Sequence, residues 1–168
     1  MTVIARHPAV LVTGMSGVGK STVLAELAGR GYATVDTDDD GWIEVIDGEP
    51  LWREPLIKAL LDRPRSAPLF VQGTVANQWH FYDRFDAIVL LSAPIDVLLQ
   101  RIDRRTNNPF GKSAQERAQI LADIAEVEPL LRQAATHEVS TDRPLAEVVE
   151  TVAGIQRSLA DRSTDHVI

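Results

Sequence analysis

At 168 residues the chain has the length of one domain, and 45% hydrophobic with 24% charged residues describes a globular protein that buries about 70% of its unfolded surface. No apolar run approaches the roughly 20 residues of a membrane span, and the lack of cysteine excludes disulfides, thiolate metal sites and cysteine redox chemistry. A net charge of −7 disfavours nucleic-acid backbones and anionic membranes, so a small molecule is the expected partner, a monomer the default state and the cytoplasm the expected compartment.

The apolar run that follows Arg6 and His7 is short and leads straight into a glycine-rich segment, which is unlike a removable leader. That segment, Gly14-Met15-Ser16-Gly17-Val18-Gly19-Lys20-Ser21-Thr22, reads G-x-x-x-x-G-K-S between an expected strand and an expected helix, the pattern of a phosphate-binding loop. Its glycines let backbone N–H groups turn onto phosphate oxygens, Lys20 reaches the β- and γ-phosphates, and the Ser21 hydroxyl is a Mg²⁺ ligand. The expected nucleotide contacts are therefore Gly14, Ser16, Gly17, Val18, Gly19, Lys20, Ser21 and Thr22. Val23, Leu24, Leu27 and Ala28 follow at helical spacing, and Gly31 ends that helix.

Apolar runs at 9–13, 33–36, 69–72, 86–91 and 137–140 alternate with helical segments. This predicts an α/β fold with a five-stranded parallel sheet, helices on both faces, and ligands at the carboxyl ends of the strands. Helical faces are carried by Ile95, Leu98, Leu99 and Ile102, by Ile120, Leu121, Ile124 and Val127, and by Leu145, Val148, Val149, Val152 and Ile155. Ser113-x-x-Glu116 forms a capping box, and Pro144 suits a first helical turn. Residues 1–168 make one domain, with a lid at about 104–113 and a fraying tail at about 161–168.

Asp36-Thr37-Asp38-Asp39-Asp40 leaves the second strand at the same sheet edge as the phosphate loop. Phosphoryl transfer from ATP needs Mg²⁺ and a group that positions the attacking hydroxyl; Asp36 is assigned to the metal with Ser21, and Asp38 to the hydroxyl. Asp39 and Asp40 read as a solvated turn. The strand at 69–72 ends in Gln72 where many such proteins place a metal-binding Asp, so Asp36 takes that role. In the lid, Arg105 is the first choice to meet the transferring phosphoryl, ahead of Arg101 and Arg104. Trp42, Arg53, Gly73 and Gln78 join Asp38 as expected acceptor contacts, while His80 reads as structural or exposed.

With these motifs in place, the chain resembles the shikimate kinase and gluconate kinase group of small P-loop kinases, relatives of the nucleoside monophosphate kinases. Asp36-Thr37-Asp38 matches the D-[ST]-D pattern of shikimate kinases, and the resemblance implies the same division of labour between its two carboxylates. Ala93-Pro94-x-Asp96 leading to Arg101 resembles the segment before the lid, and Glu128-Pro129-Leu130-Leu131 the family's N-P-L-Y stretch. Ser140 to Pro144 falls at the adenine contact, which implies Arg143 and Pro144 beside the base. Two departures argue against shikimate: Val127 stands where the family has a carboxylate-binding Arg, and Gln72-Gly73-Thr74 replaces a triple glycine. Glu126 and Glu128 flank Val127 and repel an acidic acceptor if they face the site. The function expected is an ATP-dependent small-molecule kinase acting on a hydroxyl. The alternatives are a nucleoside monophosphate kinase using Arg53 and Arg84, and an ATP-binding regulator without phosphotransfer.

Overall fold

Three short strands, Ala9–Thr13, Leu69–Gln72 and Ala87–Ser92, are buried almost throughout, which is what the middle of a parallel sheet sandwiched between helices requires. A computed structural model describes residues 6–105 and 112–164. Its main sheet holds β1 (Ala9–Thr13), β2 (Ala33–Asp36), β5 (Leu69–Gln72), β6 (Ala87–Ser92) and β7 (His137–Ser140) in the order β2-β5-β1-β6-β7, with every pairing parallel. The expected five-stranded sheet is thus present, with β6 shifted by one residue.

Successive residues of a strand point to opposite faces, and each face has its own core. Val10 and Val12 join Phe70, Val89 and Leu91 in a cluster with Leu24 and Leu27 of α1 (Lys20–Gly29), Leu98 and Ile102 of α3 (Ile95–Arg104), Ile120 and Ile124 of α4 (Ala114–Ala134), and Val149 and Val152 of α5 (Leu145–Thr164). Ala9, Leu11, Leu69 and Val71 face the other way, onto Ile57, Leu60 and Leu61 of α2 (Glu54–Asp62) and onto Phe81 of a 3-10 helix spanning Gln78–Arg84. Ser113 caps α4 by accepting from the Glu116 N–H at 3.1 Å, as its sequence implies. Helix α5 continues to Thr164, so the described part of the tail is helical beyond 161.

An antiparallel hairpin, β3 (Ile43–Ile46) with β4 (Glu49–Trp52), was not anticipated. Its turn is Asp47-Gly48, with φ of 53° and 80°, and positive φ at both central residues is what a tight two-residue hairpin needs. Among the described residues no helix is long and apolar enough to cross a membrane.

Candidate active site

The phosphate loop leaves β1 with Gly17 and Gly19 at φ of 83° and 102°, a left-handed backbone that turns successive N–H groups inward ahead of α1. A Cβ on Gly14 would lie 2.5 Å from the Leu91 carbonyl oxygen, so the loop sits hard against the end of β6. Thr74 locks the loop from the neighbouring strand, donating to the Gly14 carbonyl at 2.6 Å and approaching the Thr13 hydroxyl at 3.1 Å. Lys20 folds back over the loop to donate to the carbonyls of Gly14 and Met15 at 2.7 and 3.2 Å. Burial pushes its ammonium down from 10.5 to about 8, against the opposing pull of the Asp38 and Asp36 charges.

The carboxylates arrive from β2, whose last residue Asp36 pairs in register with Gln72 of β5. Ser21 donates its hydroxyl proton to Asp36 Oδ2 at 2.9 Å. Asp36 Oδ1 takes the Asp38 backbone N–H at 3.0 Å and the Gln72 side-chain amide at 2.5 Å. The same Gln72 nitrogen donates to Asp38 Oδ2 at 3.0 Å. Between the two acids Thr37 turns inward, donating to the Gln72 carbonyl at 2.8 Å and accepting from Trp52 Nε1 at 2.9 Å. Gln72 is fully buried, and its side-chain oxygen has no hydrogen-bond partner among the described residues.

Two adjoining cavities follow the loop. One of about 560 Å³ is lined by Ser16, Gly17, Gly19, Lys20, Ser21, Thr22, Asp38, Arg101 and Arg105, so it gathers cations, loop backbone and one carboxylate in a single space. The other, of about 230 Å³, shares Gly19, Thr22 and Arg101 with it and continues past Val18 and Val23 to Thr141, Arg143, Leu145 and Val148. A polyphosphate fits the first cavity by charge, and a planar apolar group fits the second by its aliphatic walls. The Mg²⁺ expected from the sequence fits as well. Ser21 Oγ and Asp36 Oδ2 are adjacent hard oxygens, and among the described residues no larger cluster of metal ligands competes. That is the sparse donor set on which Mg²⁺ is held together with phosphate oxygens.

Several expected contacts occupy other places. Arg101 lines both cavities, but its guanidinium is bonded to the Val18 carbonyl at 3.2 Å and to the Thr141 hydroxyl and carbonyl at 2.9 and 2.7 Å, so it braces the loop against the end of β7. Pro144 lies ahead of α5, and its neighbour Leu145 lines the cavity instead; that residue was missed as a contact because helical spacing marked it as core. Gln78, expected at the acceptor, is buried and bonded within the framework to Val75, Thr13 and Tyr82. Gly73 is covered by Thr37 and Trp52, and Trp52 is a core residue with no exposed surface. Trp42 packs against the α2-side core, and Arg53 is an exposed residue at the start of α2. Neither is among the described residues lining the cavity that holds Asp38. His80 is exposed and contacts Glu54 at 2.8 Å. Glu128 is bonded to Arg132, which also holds Glu138. Of the lid, residues 106–111 lie outside the described residues.

Fold and loop together define a P-loop nucleotide-binding domain, the class to which small P-loop kinases belong. A family model of an AAA domain matches residues 10–122. A shikimate kinase of Halorhodospira halophila is 32% identical over 169 residues, covering 91% of this chain and 89% of that protein. The crystallised shikimate kinase of Acinetobacter baumannii in complex with shikimate superposes with a TM-score of 0.66 at 21% identity, over 92% of this chain and 95% of that one. A gluconokinase from Sinorhizobium meliloti gives 0.61 at 23% identity, over 97% and 99%. The chain belongs to this AAA-domain family and to the shikimate and gluconate kinase-like group of P-loop kinases.

Proposed function

We propose that this protein transfers the γ-phosphoryl group of ATP to a hydroxyl of a small acceptor other than shikimate, as a monomer in the cytoplasm. The observation that carries this reading is Asp38, whose carboxylate lines the same cavity as Lys20, Ser21 and Arg105. One oxygen of Asp38 is held by Gln72, and the other accepts no hydrogen bond among the described residues, so it can take the proton of an approaching hydroxyl. Loop N–H groups and Lys20 grip the phosphates, Arg105 meets charge on the transferring group, and Thr22, Arg101 and Arg143 frame the nucleoside end. Ser21 and Asp36 would hold Mg²⁺, which neutralises triphosphate charge when bound.

The argument against shikimate rests on Val127, an aliphatic residue where the resembling kinases hold the acceptor carboxylate with Arg. A nucleoside monophosphate acceptor is less well supported. Arg84, one of the two arginines it would need, is bonded to Asp62 at the opposite edge of the sheet, beside Arg6, Arg63 and Arg65.

The test measures ATP consumption with Mg²⁺ against nucleosides, nucleoside monophosphates, sugars, polyols, aminoglycosides and shikimate. One hydroxyl-bearing class should stimulate turnover, and Asp38→Asn should reduce that turnover about 100-fold or more while ATP affinity stays within about threefold. Turnover undiminished in Asp38→Asn would sink the assignment of Asp38. Stimulation by monophosphates alone would replace it with the nucleotide kinase reading.

A further inference from the structure

Gln72 stands at the end of β5 in the register position opposite Asp36, between β1 with its phosphate loop and β2 with its two acids. It is fully buried, and its one amide nitrogen donates to Asp36 Oδ1 and to Asp38 Oδ2, using both N–H bonds on carboxylates that are two residues apart. Its oxygen, by contrast, is buried with no hydrogen-bond partner among the described residues. A glutamine retained only to fill the core would have its carbonyl satisfied, since buried acceptors seldom go without a donor. Turning the amide over would satisfy neither acid and would set an oxygen against two others. The orientation is therefore fixed by the two carboxylates' demand for donors.

We propose that Gln72 is the positioning residue of the site, a clamp that holds Asp36 and Asp38 side by side with one oxygen of each directed to its task. This rests on the kinase reading for Asp38 and stands without it for Asp36. With Gln72 bound, Asp36 keeps Oδ2 at the Ser21 hydroxyl, where a metal is to be held, and Asp38 keeps Oδ1 open to the cavity. The clamp also explains why an amide ends this strand. An acid there would set three carboxylates against one another, and the pair on β2 could not stay close. The metal-facing acid stands at the end of β2 rather than of β5, and Gln72 is the neutral donor that makes the pair tolerable.

The experiment compares wild type with Gln72→Met, which keeps the shape and removes both donors, and with the isosteric Gln72→Glu, which carries the test if the methionine variant is unstable. ADP affinity is measured by calorimetry in EDTA and in Mg²⁺, and acceptor-stimulated turnover is measured alongside. The expected result for Gln72→Met is ADP affinity in EDTA within about threefold of wild type, with the Mg²⁺-dependent gain in affinity and kcat both lowered roughly 10–100-fold. Gln72→Glu should lose more of both. In an Asp38→Asn background, Gln72→Met should lower kcat by less than it does in wild type, because the part of the clamp that acts through Asp38 is already removed, while the Mg²⁺-dependent gain should still fall through Asp36.

Three results would overturn the proposal. The first is kcat and the Mg²⁺-dependent gain of Gln72→Met within about twofold of wild type; the second is a parallel loss of its ADP affinity in EDTA, which would mark a distorted loop. The third is stronger Mg²⁺-dependent binding in Gln72→Glu, which would make the end of β5 a direct metal position. Failure of every acceptor to stimulate wild-type turnover overturns the kinase reading alone, because the ADP measurements decide the clamp without an acceptor.

Discussion

Replacing Gly73 by alanine adds a single methyl group at the most crowded point of the site. Its Cβ would lie 2.5 Å from Thr37 Oγ1, 2.9 Å from Trp52 Cζ2 and 3.1 Å from Trp52 Nε1. Neither neighbour can yield easily. Thr37 carries its hydroxyl directly on Cβ and is tied to Gln72 and Trp52, while Trp52 is fully buried against Phe81 with ring centroids 6.1 Å apart. Overpacking of this kind costs about 1–3 kcal/mol, and loss of one or both Thr37 hydrogen bonds adds about 1 kcal/mol each, so a total of about 2–5 kcal/mol is expected. For a chain of this length that corresponds to a fall in Tm of roughly 5–15 °C. Thr37 stands between Asp36 and Asp38, so the shift needed to accept the methyl, about 1 Å, should also lower turnover on the order of 100-fold. Calorimetric melting and ADP binding in Mg²⁺ read the two effects, and Trp52→Phe in the alanine background should recover part of the Tm by removing Nε1 and shrinking the ring. A Gly73→Ala protein that melts within about 1 °C of wild type with unchanged turnover would refute the packing argument.

The depressed Lys20 ammonium makes nucleotide affinity depend on pH. Bound phosphates favour the charged form, so below about pH 8 the lysine is protonated in both states and affinity is flat, whereas above it binding must take up a proton and ADP affinity falls, by up to about tenfold per pH unit. Calorimetry at pH 9 in buffers of different ionisation enthalpy should show proton uptake that Lys20→Gln abolishes; affinity that stays level from about pH 7 to 9.5 would contradict this. For the empty protein the sign is opposite: the unfolded chain holds the proton between about 8 and 10.5, so this group makes stability rise with pH across that window. Arg101→Lys keeps the charge but loses the fork that joins Val18 to Thr141, and should weaken ADP binding about tenfold with little change in the Mg²⁺-dependent gain. Ser113→Ala removes the cap of α4 and should cost about 1 kcal/mol in chemical denaturation with nucleotide binding unaltered.

The main sheet was readable because its central strands are nearly continuous apolar runs that set the alternation with helices, and four of the five expected ranges coincide with β1, β2, β5 and β7. The hairpin was not readable in the same way, since β3 and β4 carry Glu44, Glu49 and Pro50 and lie outside that sheet. Its one local signal was Asp47-Gly48, a turn pair between two short runs. Residue type singled out Lys20, Ser21, Asp36 and Asp38 as candidates, and the structure gathers them at one edge. It could not say which side of a 3-10 turn Gln78 faces, nor that Trp52 is core while Trp79 is 64% exposed. The placement of Gln72 depends on strand order: only because β5 lies beside β2 does its last residue reach both acids, and no local pattern records that order.

That strand order also governs how the protein can be made. The central strand β1 is the first to leave the ribosome, yet its two neighbours are β5, ending at Gln72, and β6, ending at Ser92. Until both have emerged, Ala9–Thr13 is an apolar segment with open hydrogen-bonding groups on either side, and the loop beyond it has neither Thr74 nor Leu91 to rest against. Nascent chains ending before Leu69 therefore carry the entire phosphate-binding motif without the means to shape it. An unpaired apolar strand of this kind is open to wrong pairing, and folding is set by contacts far apart in the chain.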